Sequence, residues 1–422
     1  MYQIMITTVI FDIGMVLADF HWRRYIASFG WPKETNERIE KATVLGPYWN
    51  EIDRGVMGWQ EIIDSCIGLA PDLAGEIHLF FERIENIITE FPYSAQWIRE
   101  LKEAGYRVYL LSNYGEVLFG RCQEKFSFLR ETDGGVISYT VKKIKPDPEI
   151  YRILLERYQI NPGEAVFIDD LETNIRAAEA FGIHGIVFRN RRQAQEELKE
   201  LGVRRPAPDS IIFDLDGTLW DSTQAAAAVW QQVVDEEFPD ITDRVTAEKL
   251  KSLYGLPLEE IAVKVFEHSP AERALEAMWV CVKRQCPYLA EHGAVMMEGV
   301  KESLAALKKR YRLFIVSNCQ GGYIEAFLEG EKLGEFFEDF ECPGRTGKLK
   351  AANIRLIMER HGLKRPIYVG DTAGDQEASD EAGVPFIFAA YGFGHAKEYD
   401  ARIDSFQELV TLFEPSAAEI KE

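Results

Sequence analysis

The sequence predicts an α/β fold in which a doubly wound parallel sheet occurs twice, once in each half of the chain. Three observations predict it. Short runs of β-branched and aromatic residues end abruptly in polar motifs, as buried parallel strands do. Amphipathic helical segments such as 95–104 and 299–310 alternate with those runs, which gives a layered sheet whose ligands bind at the carboxyl ends of the strands. The order of motifs in the first 200 residues then recurs in residues 209 to 413.

The repeat is explicit. Val9-Ile10-Phe11-Asp12-Ile13-Gly14 is echoed by Ile211-Ile212-Phe213-Asp214-Leu215-Asp216. Leu110-Leu111-Ser112-Asn113 is echoed by Ile315-Val316-Ser317-Asn318, and Val166-Phe167-Ile168-Asp169-Asp170 by Ile367-Tyr368-Val369-Gly370-Asp371. Asp12 to Ser112 is 100 residues and Asp214 to Ser317 is 103, while the steps to Asp170 and Asp371 are 158 and 157. A unit of half the chain is a duplication, not a solenoid. The expected domains are 1–203 and 209–415, joined by a stiff linker at 204–208 that carries Pro206 and Pro208 after the charged helix 191–201. Between the first and second motifs of each half lies an insert with helical periodicity and no clear strand pattern. We expect each to be a small helical cap over the catalytic cleft, at about 19–92 and 221–297. The polar tail 415–422 is expected to fray.

Composition bounds the function. At 422 residues, 46% hydrophobic and 28% charged, the chain has the make-up of a folded globular protein of two or three domains. No apolar run reaches the roughly 18–20 residues that span a bilayer, and the N-terminus lacks a basic region and a small-residue cleavage site, so a cytoplasmic location is expected. The six cysteines contain no CxxC pair and fit reduced thiols; Cys319 is expected to be packed, not reactive. The seven histidines lack zinc spacing. A net charge of −21 argues against nucleic acid or anionic membrane as partners, because both need a basic face. Any anionic substrate must then be drawn in by local lysines, backbone amides or a metal.

The second half carries that chemistry. In Phe213-Asp214-Leu215-Asp216-Gly217-Thr218-Leu219, two carboxylates stand two residues apart just past a strand. Such a buried pair is costly unless a cation compensates it, and an oxygen-lined site with few protein ligands suits Mg²⁺. Asp371 and Asp375 supply further ligands or orient their waters. Phosphoryl transfer needs an in-line nucleophile, neutralised phosphoryl oxygens and a proton for the leaving group. Asp214 is the nucleophile that splits the reaction through an acyl-phosphate, and Asp216 the acid and then base. Ser317 donates to the phosphoryl group, Lys348 neutralises it with Lys350 the competing choice, and Gly217 and Asn318 are assigned to substrate contact.

These four motifs in order (DLDGT, VSN, a GK lysine and GDTAGD) resemble the haloacid dehalogenase superfamily, in the branch with a helical cap after the first motif. The resemblance implies tandem Rossmann-like hydrolase domains, with a magnesium ion held by Asp214, the main-chain carbonyl of Asp216 and Asp371. Tyr391-Gly392-Phe393-Gly394 resembles a loop of phosphoglycolate-phosphatase-like members.

The first half resembles the same superfamily but departs from it at the first motif, Phe11-Asp12-Ile13-Gly14-Met15-Val16-Leu17. Asp12 keeps the nucleophile position and Gly14 stands where the acid should be. Ser112, Asn113, Lys145, Asp169 and Asp170 are present, and Asn174 takes the place of Asp375. One reading is a degenerate regulatory or phosphometabolite-sensing domain, since acid–base help worth about 10²–10⁴-fold is gone. The other follows from similarity: the FDIG form, with Glu51-Ile52-Asp53-Arg54-Gly55 in the cap, resembles sugar-phosphate phosphatases that also carry glycine there. In that case the Gly14 carbonyl still binds metal. Arg54 and Trp59 face the cleft or pack helices.

The expectation is a Mg²⁺-dependent phosphatase for small phosphorylated metabolites such as sugar phosphates or phosphoglycolate-like compounds, with the second half the more surely active. A phosphomutase is the alternative within the superfamily, although no Lys/Arg pair in the caps signals a bisphosphate. Asp371 and Asp375 argue against a dehalogenase. Physiological substrate and oligomeric state are not written in the sequence.

Overall fold

A computed structural model describes residues 5–413, so the expectation for the tail 415–422 falls outside the described residues. The chain divides into two compact units, Met1–Pro206 and Ala207–Glu422.

In the first unit the strands are β1 (Thr8–Phe11), β2 (Ala18–Phe20), β3 (Ile88–Glu90), β4 (Arg107–Ser112), β5 (Gly134–Ile137), β6 (Ala165–Asp169) and β7 (His184–Val187). Five of them form a wholly parallel sheet in the order β5-β4-β1-β6-β7. In the second unit they are β8 (Ser210–Phe213), β9 (Trp220–Asp221), β10 (Val295–Met296), β11 (Arg312–Val316), β12 (Asp339–Glu341), β13 (Pro366–Gly370), β14 (Phe386–Ala389) and β15 (Ala401–Ile403). Six of these form a second parallel sheet, β12-β11-β8-β13-β14-β15.

The apolar runs are strands because both their faces are buried. Val9 and Phe11 enter one hydrophobic cluster and Ile10 the other; Ile211 and Phe213 are likewise separated from Ile212. Helices cover both faces, among them Ser94–Glu103 and Val300–Leu307, each within a few residues of the periodic segments that predict them. In each sheet three adjacent interior strands are the ones whose tips carry the motifs. Asp12 follows β1, Ser112 ends β4 and Asp169 ends β6, while Asp214, Ser317 and Asp371 follow β8, β11 and β13.

The inserts differ from expectation in one respect. Each is mainly helical, but it opens and closes on a short strand. β2 pairs antiparallel with β3, and β9 with β10, making a two-stranded stem on which each cap sits. Strands of two or three residues are too short to show a period of two, which is why the sequence pattern misses them. The second cap has its own core, with Trp230, Val233, Phe266 and Met278 among its buried residues.

Candidate active sites at the strand tips

In the second half the loop after β8 folds back tightly. The Gly217 N–H donates to the Trp220 carbonyl and the Leu219 N–H to that of Leu215. Gly217 has φ +80°, and a Cβ there would lie 2.3 Å from Asp371 Oδ2. Glycine is required because the loop runs against that carboxylate.

Lys350 joins the strand tips. Its Nζ is 3.0 Å from Asp214 Oδ1 and 2.6 Å from Asp375 Oδ1, and all three side chains are buried. The other Asp375 oxygen closes a capping box with Thr372 at the start of helix Ala373–Ala382, so one carboxylate serves helix and site. Asp371 accepts from the Phe393 N–H at 2.7 Å and the Gly394 N–H at 3.3 Å; the post-β14 loop holds it in place.

Asp216 lies apart from Lys350. Its Oδ1 accepts from Ser222 Oγ at 3.0 Å and Tyr323 Oη at 2.8 Å. Burial, opposed by the Tyr323 hydrogen bond, pushes its carboxyl up to about 7. Burial and then the Asp375 charge push Asp214 up to about 6 against the pull of Lys350, and burial followed by Asp375 and Asp214 push Asp371 up to about 8. For Lys350, burial favours the neutral amine, but the Asp214 and Asp375 charges outweigh it and the ammonium is strengthened.

One lysine thus bridges two carboxyl groups of a cluster of three, with Asp216 apart. Oxygens of Asp214, Asp371 and Asp375 lie within 4.8 Å of one another. Such an excess of buried negative charge and a donor set of oxygens alone fit a hard divalent cation.

The first half repeats the arrangement with different residues. Lys145 Nζ lies 2.8 Å from Asp12 Oδ1 and 2.6 Å from Asp169 Oδ2, again buried. Oxygens of Asp12, Asp169 and Asp170 come within 4.8 Å of each other. Asn174 donates its amide to Asp169, at 3.0 and 3.1 Å, where the second half has Asp375. Burial, then Asp12 and Asp169, push Asp170 up to about 7; burial also raises Asp12. Gly14 offers no side chain, but a further carboxyl comes from the cap. Helix Trp49–Arg54 is seated on the sheet domain: the Asp53 carbonyl accepts from Ser138 Oγ at 2.5 Å, and a Cβ on Gly115 would meet Ile52 Cγ2 at 2.4 Å. Burial and then the negative charge of Asp12 push the Asp53 carboxyl up to about 7.

The structure brings together Asp214, Asp216, Gly217, Ser317, Asp371 and Asp375 in one half, and Asp12, Gly14, Ser112, Lys145, Asp169 and Asp170 in the other; Ser317 and Ser112 stand beside Asp214 and Asp12, whose ionised forms they favour. Lys348 is a correction. It is exposed, because Gly347 turns the chain outward at φ +67° after helix Pro343–Thr346. Lys350, the competing choice and first residue of the next helix, points inward and is the lysine that reaches Asp214 and Asp375. The two asparagines are anchored by backbone groups, and Asn318 also lines the cavity. Asn113 is held at both ends by the backbone of Lys145, at 2.7 and 3.0 Å, and Asn318 donates to the Gly255 carbonyl of its cap at 3.1 Å. In the first cap Arg54 pairs with Glu51 and Trp59 packs edge-on against Phe81. Sequence reasoning quoted Asp53 only within its cap motif and passed over Ser222 and Tyr323. Asp53 had a signal, an acid in a short helix close to a glycine; Ser222 and Tyr323 had none, being ordinary helix-start residues.

Fold and sites define a tandem of α/β hydrolase domains, each with a lysine-bridged carboxylate cluster at its strand tips. Comparison with known sequences gives the family. Models of the haloacid dehalogenase-like hydrolases match residues 6–182 and 211–389, and together they take in most of the chain, which belongs to that family. Among curated relatives, Acyl-CoA dehydrogenase family member 10 of Mus musculus is 27% identical over 46% of this chain, which spans only 19% of that protein. Phosphoglycolate phosphatase of Pseudomonas putida is 24% identical, covering 47% of this chain and 75% of its own length. A haloacid dehalogenase-like hydrolase from Streptococcus pneumoniae, known as a solved structure, has 20% identity and a TM-score of 0.43 over 49% of this chain and 99% of its own.

Proposed function

We propose that this haloacid dehalogenase-like phosphatase hydrolyses small phosphorylated metabolites with Mg²⁺ through an aspartyl-phosphate, the second half being the surer catalyst. The observation that carries the reading is the Lys350 bridge between Asp214 and Asp375, with Asp371 beside it and Asp216 set apart. Asp214 attacks phosphorus in line and the ester oxygen departs. Lys350 and the Ser317 hydroxyl neutralise the phosphoryl oxygens. Asp216, its carboxyl pushed up to about 7 and aimed by Ser222 and Tyr323, gives its proton to the departing alkoxide and then takes one from the water that opens the acyl-phosphate. Asp214, Asp371 and the Asp216 carbonyl would hold the magnesium ion, with Asp375 behind them; when bound it neutralises charge on the transferring group.

A second reading, that the first half also turns over, is favoured by Asp53. That carboxyl supplies from the cap the proton that Gly14 cannot. The test is hydrolysis of p-nitrophenyl phosphate by the whole chain, with Mg²⁺ or with EDTA, in wild type, Asp214→Asn and Asp12→Asn. Full turnover by Asp214→Asn overturns the assignment of the second half, and activity indifferent to EDTA overturns the mechanism in both.

A further inference from the structure

The cavity above Asp214 and Asp216 runs up into the second cap, where Trp230, Tyr254, Leu258, Ile261 and Gln285 line it, with Gln320 on the sheet side. One of these side chains is unexplained by folding. Gln285, on helix Ala271–His292, is 1% exposed, and its Nε2 has no hydrogen-bond partner. Its orientation is fixed. The indole Nε1 of Trp230 can only donate, and it donates to Gln285 Oε1 at 2.8 Å, which leaves the amide NH₂ as the end without a partner. A buried donor without an acceptor is costly and is kept where a ligand satisfies it. The wall around it is otherwise apolar and aromatic apart from the Tyr254 hydroxyl, which lies beside the Gln285 amide without meeting hydrogen-bond geometry. Among the described residues lining the cavity none is a lysine or arginine. The nearby cap lysine, Lys251, is already paired with Asp221 at 2.7 Å.

We propose that the second site takes phosphate monoesters whose leaving group is uncharged and carries an acceptor oxygen for the Gln285 amide, and that it disfavours leaving groups bearing a carboxylate. This rests on the phosphatase reading above and narrows it. A carboxylate on the leaving group would lie against the cap wall, where the lining offers no cation to balance it, whereas a hydroxyl or carbonyl oxygen satisfies Nε2 without bringing charge.

The experiment uses the full chain carrying Asp12→Asn, so that the first half is silent, and three probes: glycerol 3-phosphate, 3-phosphoglycerate and phenyl phosphate. Glycerol 3-phosphate should exceed 3-phosphoglycerate in kcat/KM by at least about tenfold. Gln285→Leu should lower kcat/KM for glycerol 3-phosphate about tenfold relative to phenyl phosphate, which has no acceptor at its far end. Because that readout is a ratio within one variant, any loss of folded protein cancels from it. A preference for 3-phosphoglycerate, or an unchanged ratio in Gln285→Leu, overturns this inference while leaving the phosphatase standing. Failure to cleave any of the three esters sinks the phosphatase reading itself.

Discussion

The two halves reach nearly the same cluster from different positions. Each has three carboxylates and one buried lysine at the tips of three adjacent strands. In the second half Lys350 takes its second carboxylate from Asp375, on the first turn of a helix. In the first, Lys145 takes it from Asp169, at the strand end itself, where the second half has Gly370. Asn174 stands at the helix position and supports Asp169 with its amide. The constraint therefore acts on the sum of charge beside the nucleophile, and neighbouring positions can exchange the duty. The acid position behaves differently. The backbone is the same in both loops, with a bridge from Gly14 to Ala18 and from Asp216 to Trp220, yet only one has a carboxyl there. Pocket geometry decides whether that loss matters.

The largest effect expected is at the nucleophiles. Asp214→Asn should reduce magnesium-dependent turnover of p-nitrophenyl phosphate by about 10³-fold or more in the contribution of the second half. Asp12→Asn measured beside it gives the share of the first. Equal losses would erase the asymmetry drawn above.

Next come the lysines. Lys350→Met strips the only cation from a buried cluster of carboxylates and should destabilise the metal-free chain by about 3–5 kcal/mol in denaturant unfolding. Lys348→Met, on an exposed turn, should stay within about 0.5 kcal/mol. If the two variants unfold alike, the bridge to Asp214 and Asp375 is not what holds the strand tips together.

How much of this was legible in the sequence follows from which signals are local. Asp12, Ser112, Asp214, Ser317 and Asp371 could be read because each follows an apolar run that can only be a buried strand, and parallel neighbours bring strand tips together. Lys145 was read from Lys145-Pro146-Asp147-Pro148, although Lys142 and Lys143 stand just before it. Lys348 and Lys350 flank one leucine, and only the left-handed turn at Gly347 decides which of them points inward. The caps were legible as helical inserts, but their stems β2/β3 and β9/β10 were too short for periodicity. Gln285 was not legible as a site residue, nor Asp53 beyond its cap motif, because what makes them so is the seating of a cap on a sheet distant in sequence: Asp53 is 41 residues from Asp12 and 85 from Ser138, and Gln285 is 69 from Asp216.

The missing acid can be tested from both sides. With the second half silenced by Asp214→Asn, Asp53→Asn should lower the remaining turnover about 10²-fold, the low end of what a proton donor contributes. Gly14→Asp should partly offset that loss, since a Cβ at Gly14 meets nothing within 4 Å. A first half indifferent to Asp53→Asn would return Asp53 to a packing role and favour the regulatory reading.

The smallest effect expected is the response of stability to pH, and here the halves should agree. Asp214, Asp216 and Asp371 are pushed up to about 6, 7 and 8, and Asp53 and Asp170 to about 7, all above the ordinary carboxylate range. A carboxyl whose folded pKa is raised binds its proton more tightly when folded. Its contribution to stability is therefore complete at acid pH below the unfolded value and is lost as pH climbs through the folded one. Without metal, Tm should fall as pH climbs from about 5 to about 8, each kcal/mol lost lowering it by about 2–4 °C for domains of this size. Millimolar Mg²⁺ should flatten the slope, because a cation favours the ionised carboxylates that burial disfavours. A Tm that rises over this range in EDTA, or a slope unchanged by Mg²⁺, would mean that these clusters are balanced without a metal, and the likeness between the two halves would then be one of structure alone.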